Sequence, residues 1–334
     1  MMSRFLRYAG LTGVLVALLA FFGLASEHFF TALTLTTVAN EIPALTVVAV
    51  GMTWVLIIAG IDLSVGSVLA LGGAVLGVAL GAWGWPVSLA MGACLLAGLA
   101  CGSINGAITV KWSIPSFIVT LGMLEAARGG TYLVTSSQTQ YVGEAIEGMS
   151  RPFLGTHLTV AFFLSLFVVI LGQILLSYTA LGRRARALGS NEEAARLSGV
   201  RPGRIKVFVF AFSGFLASLG GIFQCARLSS ADPNAGMGLE LSAIAAVVIG
   251  GTSLMGGRGS VISSYLGVLI IAVLQAGLAQ MGASEPTKRV ITGGVIVAAV
   301  ILDAYRNRGT GLSWLGSLFG KGRSSVPPST PSLH

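Results

Sequence analysis

Long apolar stretches alternate with short polar connections along almost the whole chain. Each stretch holds about 17–25 residues, which is enough to cross roughly 30 Å of hydrocarbon as an α-helix. The pattern predicts an all-α, polytopic integral membrane protein with about ten transmembrane helices in one domain, residues 1–307. The predicted spans are 5–25, 43–60, 65–82, 87–107, 114–135, 157–178, 205–225, 239–255, 260–281 and 288–303.

Composition agrees with this pattern. Of the 334 residues, 54% are hydrophobic and only 10% are charged, so the chain is too apolar to fold as a soluble globule with a solvated surface. The first span also resembles a secretory signal, but its apolar run is longer than a signal core. We therefore expect it to be retained as a helix.

Basic residues fall mainly on one side of the predicted membrane. With the N-terminus in the cytoplasm, fifteen of the twenty Lys and Arg residues lie on the cytoplasmic side, which basic loops prefer. Both termini are predicted to be cytoplasmic, and the Pro- and Ser-rich tail, 308–334, is expected to be disordered. The net charge of +8 indicates contact with anionic lipid, and no nucleic acid partner is expected.

Known signatures of enzymes and metal sites are absent from the sequence. It contains no G-x-x-x-x-G-K-[ST] phosphate loop and no H-E-x-x-H zinc helix, and its three cysteines all lie in apolar runs. We expect no catalytic residue, no metal and no cofactor in this chain, which should not hydrolyse ATP by itself.

The longest hydrophilic interruption follows the sixth span, at residues 181–206. Asn191 can cap a short helix whose first turn contains Glu192 and Glu193, and Gly199 can end it. One interpretation is an interfacial helix that rests on anionic lipid. The other is a docking element for a cytoplasmic partner.

Four stretches of the sequence carry a family resemblance: "AGIDLSVGSVLALGGAV" at 59–75, "IPSFIVTLGMLEAARGGTYLVTSSQT" at 114–139, "GRRARALGSNEEAARLSGV" at 182–200 and "LELSAIAAVVIGGTSLMGGRGSV" at 239–261. With them, the chain resembles the permease subunits of ribose/xylose/arabinose-type ATP-binding-cassette (ABC) importers in the bacterial cytoplasmic membrane. The resemblance implies a homo- or heterodimer of permeases, ATPase subunits that use ATP and Mg, and a periplasmic sugar-binding protein.

The same resemblance assigns the loop after the middle span to a coupling helix that docks on the ATPase. Its pattern is met by residues that are mostly small or polar, namely Gly182, Arg183, Arg184, Ala187, Gly189, Asn191, Glu192, Ala194, Ala195 and Gly199. A helix held by the ATPase must move when the nucleotide sites close, which would transmit the ATP cycle to the permease.

Asp62 lies between two strongly apolar runs and is flanked by glycines. A charge at the centre of a bilayer costs about 2.5–3.5 kcal/mol on insertion scales, so Asp62 should lie at the end of a span, pair, or face a protein-lined cavity. The glycines predict a broken backbone whose amides Asp62 and Ser64 can bind. A direct role in gating or in the transport pathway is the alternative.

Further polar residues lie inside the predicted spans. Glu125 and Arg128 are three residues apart on one helix face, which favours a structural salt bridge; alternatively, one of them lines the sugar pathway. Because neutral polyols bind hydroxyl and amide groups, the remaining pathway candidates are Asn105, Thr120, Gln224 and Gln275.

The sequence thus predicts the permease subunit of an importer for a monosaccharide, most plausibly a pentose-like sugar. An importer of the same superfamily for branched-chain amino acids or nucleosides is the nearest alternative. A second alternative is a secondary transporter driven by protons or sodium, in which Asp62, Glu125 and Arg128 would be the coupling groups. A structural or signalling membrane protein is the third.

Overall fold

A computed structural model of the chain describes residues 2–307, and the predicted tail, 308–334, lies outside the described residues. The described part forms α-helices, one 3-10 helix at Gly143–Met149 and one pair of two-residue strands. The helices are α1 Met2–Ala25, α2 Ala32–Glu41, α3 Pro43–Ile57, α4 Val65–Gly81, α5 Val87–Lys111, α6 Ser116–Thr135, α7 Val160–Tyr178, α8 Ala180–Ser190, α9 Glu192–Leu197, α10 Pro202–Leu228, α11 Leu239–Ile249, α12 Val261–Gln280 and α13 Glu285–Asn307.

Every predicted span contains a helix. By length and composition, five helices of the described residues can cross a membrane, or six if α2 and α3, which meet at an angle of 45°, form one span. The two shorter apolar helices are α4 and α11. The chain is therefore a polytopic helical membrane protein, and the number of ten crossings stays a prediction.

The predicted eighth span, 239–255, is wrong as a continuous helix. Its helix, α11, ends at Ile249, and Gly251 follows with a left-handed φ of 80°. Eleven residues at about 1.5 Å each reach roughly 16 Å, about half of the hydrocarbon thickness. The segment that follows α11 is a non-helical loop up to Ser260.

Helix α10 lies at the centre of the fold and packs against α3, α4 and α5. The contact with α5 is made through a row of glycines spaced every four residues, Gly98, Gly102 and Gly106. A Cβ atom at Gly102 would overlap the carbonyl oxygen of Phe210, and one at Gly106 would lie 2.6 Å from the Cα of Val207. These glycines allow the two backbones to approach closely, as small residues do in membrane helix pairs.

The two short strands join distant parts of the chain. Gln140 and Tyr141 pair in antiparallel register with Ala231 and Ser230. The pair lies beside α4, where a Cβ atom at Gly77 would come within 2.7 Å of the Cβ of Ala231. The loop after α6 and the loop after α10 are therefore held together at one end of the bundle.

We expect Gly102→Ala to destabilise the fold, because the added methyl group has no space against α10. Overpacking of this kind costs about 1–3 kcal/mol. Gly92→Ala is the matched control on the same helix, since nothing lies within 4 Å of its Cβ position. Thermal unfolding in detergent should show a lower midpoint for Gly102→Ala alone. Equal midpoints for the two variants would contradict the close helix contact.

Candidate functional site

The chain between α3 and α4 is interrupted inside the helix bundle. Helix α3 ends in a turn in which Ala59 has a left-handed φ of 58° and the amide of Gly60 donates to the carbonyl oxygen of Val55 at 2.9 Å. Residues 60–64 then form no helix, although most of them are buried or half-buried. A backbone without helical hydrogen bonds needs other partners where water is absent.

Hydroxyl groups of α6 bind one side of this segment. The amide of Ile61 donates to Ser116 Oγ at 3.0 Å, and the amide of Leu63 donates to Thr120 Oγ1 at 3.1 Å. Thr120 Oγ1 in turn donates to the carbonyl oxygen of Ile61 at 3.2 Å. Because Ser116 and Thr120 are four residues apart, they lie on one face of α6 and can bind the extended segment together.

The carboxylate of Asp62, which is 1% exposed, binds the other side. Its Oδ1 accepts the amide of Ser64 at 3.0 Å and the hydroxyl of Ser64 at 2.6 Å. Its Oδ2 accepts the hydroxyl of Ser213, on α10, at 2.9 Å. Asn105 Nδ2, on α5, donates to Ser64 Oγ at 3.0 Å. Asp62 thus binds an amide of the broken backbone, as predicted. The Ser64 hydroxyl, which was predicted to bind an amide as well, instead donates to Asp62 and accepts from the Asn105 side chain.

Four of the predicted pathway candidates thus lie in one buried polar network, formed by Asp62, Ser64, Asn105 and Thr120. Two further members, Ser116 and Ser213, were not predicted. Serine is common on membrane helices, so neither has a strong sequence signal. The spacing of four between Ser116 and Thr120 is the one feature that could have suggested the first of them.

The predicted salt bridge between Glu125 and Arg128 is wrong. It is not among the ion pairs of the described residues, and Glu125 lies on the exposed side of α6. Instead, Arg128 Nη1 donates to the carbonyl oxygens of Pro233 and Ala235, at 2.7 and 2.9 Å. A guanidinium group satisfied by two carbonyl oxygens does not need a carboxylate next to it.

Arg128 holds the turn formed by residues 232–236. Tyr132, one helical turn further along α6, donates to Asn234 Oδ1 at 2.8 Å. The turn ends at Gly236, which has a φ of 71°, and a Cβ atom there would lie 2.5 Å from the carbonyl oxygen of Gly66 in the first turn of α4. Helix α6 therefore binds both the interrupted segment and the turn that packs against the start of α4.

The hydrophilic segment after α7 contains two helices, α8 and α9, of which only the second was predicted. Asn191 caps α9 as predicted, since its Oδ1 accepts the amide of Ala194 at 2.9 Å, and Gly199 follows with a φ of 80°. Both Glu192 and Glu193 lie in the first turn. A hydrogen bond from Arg196 lowers the pKa of Glu193, so this carboxylate stays ionised to a more acidic pH than a free Glu side chain.

The residues assigned to the coupling helix divide into a group that packs against its own chain and a group that is exposed. Gly182, Gly189 and Ala195 face their own chain, and a Cβ atom at Gly189 would overlap the carbonyl oxygen of Ile57. The others are exposed, as is Leu197, whose side chain is 79% exposed. The exposed members are Arg183, Arg184, Ala187, Asn191, Glu192, Ala194 and Gly199.

The end of α8 contacts the end of α3. The carbonyl oxygen of Ile57, which lies against Gly189, also accepts the amide of Gly257 at 2.8 Å. Next to this contact is a cavity of about 550 Å³, which is lined by Gly60 as well as by residues of α8 and α9. The hydrophilic segment thus touches the chain only a few residues before Asp62.

The last two pathway candidates, Gln224 and Gln275, lie away from the buried polar network. Both line a second cavity of about 450 Å³ between α10, α11, α12 and α13, and Gly236 lines the same cavity. The residues predicted from the sequence therefore include members of two separate sites, the buried polar network and this second cavity.

An interrupted backbone segment, satisfied by side chains at the centre of a helical membrane bundle and flanked by cavities, is typical of transport proteins. The chain belongs to the family described as branched-chain amino acid transport system / permease component, whose model matches residues 34–300.

Several curated relatives are similar over most of this chain. It is 40% identical over 300 residues to the ribose import permease protein RbsC of Escherichia coli (strain K12), covering 86% of this chain and 91% of that protein. It is 36% identical to the D-allose transport system permease protein AlsC of the same strain, with coverages of 87% and 89%. It is 33% identical to the fructose import permease protein FrcC of Rhizobium meliloti, with coverages of 87% and 83%. No solved structure matches the chain.

We expect Asp62→Asn to lower the midpoint of thermal unfolding in detergent, and Asp62→Ala to lower it further. The amide oxygen of Asn can still accept the Ser64 amide, whereas Ala leaves all three donors without an acceptor. The loss of one hydrogen bond to a charged group costs about 1.5–3 kcal/mol. Asp232→Asn is the control, because Asp232 accepts an amide two residues ahead in the same way but is only half-buried. If Asp62→Asn and Asp232→Asn lowered the unfolding midpoint by similar amounts, burial of the Asp62 carboxylate would have no special role in stability.

We expect Arg128→Gln to release the turn at 232–236, because Gln cannot reach both carbonyl oxygens. A spin label at Met237, in a chain whose three cysteines are replaced by Ala, should then become more mobile. Glu125→Gln, on the same helix, should leave the label unchanged, since Glu125 is on the exposed side. If the two variants had the same effect, Arg128 would not hold the turn.

Proposed function

We propose that the chain is the permease subunit of an ABC importer that moves a monosaccharide, a pentose-like sugar, from a periplasmic binding protein into the cytoplasm. Relatives named as ribose, D-allose and fructose permeases, at 33–40% identity over most of the chain, support a sugar as cargo. The chain is a multi-pass protein of the bacterial inner membrane. We place it there with ten crossings and with both termini in the cytoplasm.

The partners in this proposal are an ATPase that uses ATP and Mg, the periplasmic binding protein, a second permease subunit and membrane lipid. The ATPase would dock on the exposed surface of α8 and α9. That surface combines the positive charges of Arg183 and Arg184 with the apolar side chain of Leu197. A charged surface with one exposed apolar side chain fits a protein partner better than it fits lipid headgroups alone.

The contact of α8 with α3 carries the mechanism that we propose. When the ATPase closes, α9 and α8 move with it, and Gly189 displaces the end of α3 at Ile57. The displacement reaches residues 58–64, of which Gly60 lines the cavity of about 550 Å³. The segment leads into Gly66, which contacts Gly236 at the wall of the cavity of about 450 Å³. This segment would then act as the gate of an alternating-access cycle, driven by the different contacts of the ATPase in its two states.

Asp62 stabilises the closed gate in this mechanism. Its carboxylate joins α10, through Ser213, to the interrupted segment, through Ser64. Opening of the gate must break at least one of these hydrogen bonds. The number and strength of the hydrogen bonds that Asp62 accepts therefore set the free energy of the closed state relative to the open state. The charge itself need not contact sugar.

A branched-chain amino acid is the second candidate cargo, because the family description names it. An amino acid is a zwitterion, and its binding requires a cation and an anion that are free to pair with it. The one carboxylate of the buried polar network, that of Asp62, already accepts three hydrogen bonds from its own chain, so the network offers no free anion to a zwitterion.

Replacement of the exposed leucine tests the ATPase contact. We expect Leu197→Glu to weaken binding of the partner ATPase and ATP-driven sugar uptake by about tenfold or more, the equivalent of roughly 1.4 kcal/mol or more. Leu154→Glu is the control, because Leu154 is 84% exposed and lies between the fifth and sixth predicted spans, in a loop that a cytoplasmic N-terminus places outside. Both quantities are measured in proteoliposomes that contain the ATPase and the binding protein.

Three outcomes would contradict the proposal. The first is normal ATPase binding and uptake by Leu197→Glu, which would remove α9 as the docking element. The second is uptake that continues without ATP and stops when an ion gradient is dissipated, which would identify a secondary transporter. The third is accumulation of leucine but of no sugar, which would identify the alternative cargo.

A further inference from the structure

The cavity of about 450 Å³ contains polar groups that the rest of the chain does not use. It lies between α10, α11, α12 and α13, next to the turn that ends at Gly236. Its polar lining includes the side chains of Gln224, Gln275, Ser242 and Thr292. Its volume falls in the range of about 300–1,000 Å³ that is typical of small-molecule sites.

Three of these polar side chains have no hydrogen-bond partner among the described residues. Thr292 is 8% exposed, and its Oγ1 is buried without a partner. Gln224 and Gln275 appear in none of the side-chain hydrogen bonds, whereas Gln173 and Gln280 bind Ser and Thr hydroxyls of their own chain. Because the Thr292 hydroxyl is buried without a partner, an occupant with hydroxyl groups would remove an unfavourable burial. Gln224 is half-buried and Gln275 is exposed, so both amides are accessible to a molecule that enters the cavity.

The charged residues of the cavity pair with one another. Glu285, Lys288 and Arg289 lie at the start of α13, which the predicted topology places outside. Lys288 Nζ lies 2.6 Å from Glu285 Oε2, and Arg289 Nε lies 3.8 Å from Glu285 Oε1. Since the single carboxylate already has two cations, it is not free for the ammonium group of an amino acid.

The remaining lining suits a neutral polyol. Amide groups can donate and accept at once, which matches the hydroxyl groups of a sugar. Apolar side chains such as Leu69 and Ile296 also line the cavity and can pack against the C–H face of a sugar ring. Neither feature requires a charged ligand.

We infer that this cavity binds one monosaccharide, with its hydroxyl groups on Gln224, Gln275 and Thr292. The inference rests on the proposed function, and it adds a sugar site within a single permease chain. The site lies beside the turn held by Arg128 and next to Gly236, so a bound sugar contacts the same turn that packs on the start of α4. Occupancy of the cavity is thereby linked to the position of the gate.

Protection of a cysteine tests the site in the full chain. Gln275→Cys is introduced into a chain whose three native cysteines are replaced by Ala, and the protein is placed in lipid nanodiscs. We expect D-ribose, D-fructose or D-allose to slow its modification by a maleimide about tenfold, at a sugar concentration about ten times the dissociation constant. Gln280→Cys is the matched control on the same helix, since Gln280 binds Thr34 and does not line the cavity. Its modification should not change.

A second variant tests the contribution of the buried hydroxyl. Thr292→Val keeps the shape of the side chain and removes its polar atom. We expect protection at position 275 to require about threefold to tenfold more sugar, as for the loss of one neutral hydrogen bond. An unchanged concentration dependence would remove Thr292 from the site.

The inference is overturned if no sugar protects position 275, if positions 275 and 280 are protected equally, or if only L-leucine protects. Slow modification that sugar does not change would mean that lipid fills the cavity, which also overturns it. ATP-driven sugar uptake by the native chain is measured in parallel. Uptake without protection would reject the site and leave the proposed function standing, whereas absent uptake would reject the proposed function itself.

Discussion

The structure depends on one constraint: a piece of backbone without helical hydrogen bonds lies inside a membrane protein and must find its partners there. Residues 60–64 meet this constraint through the side chains of three helices. Ser116 and Thr120, from α6, bind the backbone of the segment directly. Asn105, from α5, and Ser213, from α10, bind the side chains of Ser64 and Asp62 and so hold the segment from the other side. Asp62 completes the set from within the segment itself, which explains why a carboxylate is placed between two apolar runs.

The same constraint makes the segment suitable as a moving part. Its bonds are made with side chains that can change partner, whereas a helix would have to break its own backbone ladder to bend. On one side, the segment is continuous with the end of α3, which Gly189 contacts. On the other side, it leads into Gly66, which contacts the turn at Gly236. A displacement at the proposed ATPase surface therefore has a continuous route, through directly contacting atoms, to the wall of the proposed sugar cavity.

Much of this arrangement could be predicted from the sequence. Hydropathy located a helix in all ten expected places, and the cost of a charge in a bilayer pointed to Asp62 and to a broken backbone around it. The cap at Asn191 was predictable because capping depends on local sequence. The places where prediction failed all depend on tertiary contacts. Spacing alone paired Arg128 with Glu125, but the carbonyl oxygens of a distant turn bind it instead.

One further failure has the same origin, and a second position shows the same limit of sequence reasoning. The eighth span was drawn through Gly250 and Gly251 because the local composition is apolar, yet a Cβ atom at Gly250 would lie 2.5 Å from the carbonyl oxygen of Ser263, so the chain turns where another helix approaches. At Gly189, which the family resemblance assigned to the coupling helix, the small size is required by Ile57 of its own chain. A small residue indicates a close approach, but the sequence does not name the neighbour.

Hydrogen–deuterium exchange across residues 58–66 tests the gate most directly. The permease is compared in nanodiscs with its partner ATPase, with and without a non-hydrolysable ATP analogue. In the resting state, we expect slow exchange, because the amides of Ile61, Leu63 and Ser64 are bonded to side chains. Closure of the ATPase should accelerate exchange in this segment while the buried part of α10 stays protected. Fast exchange at rest, or slow exchange that the nucleotide leaves unchanged, would contradict the gate.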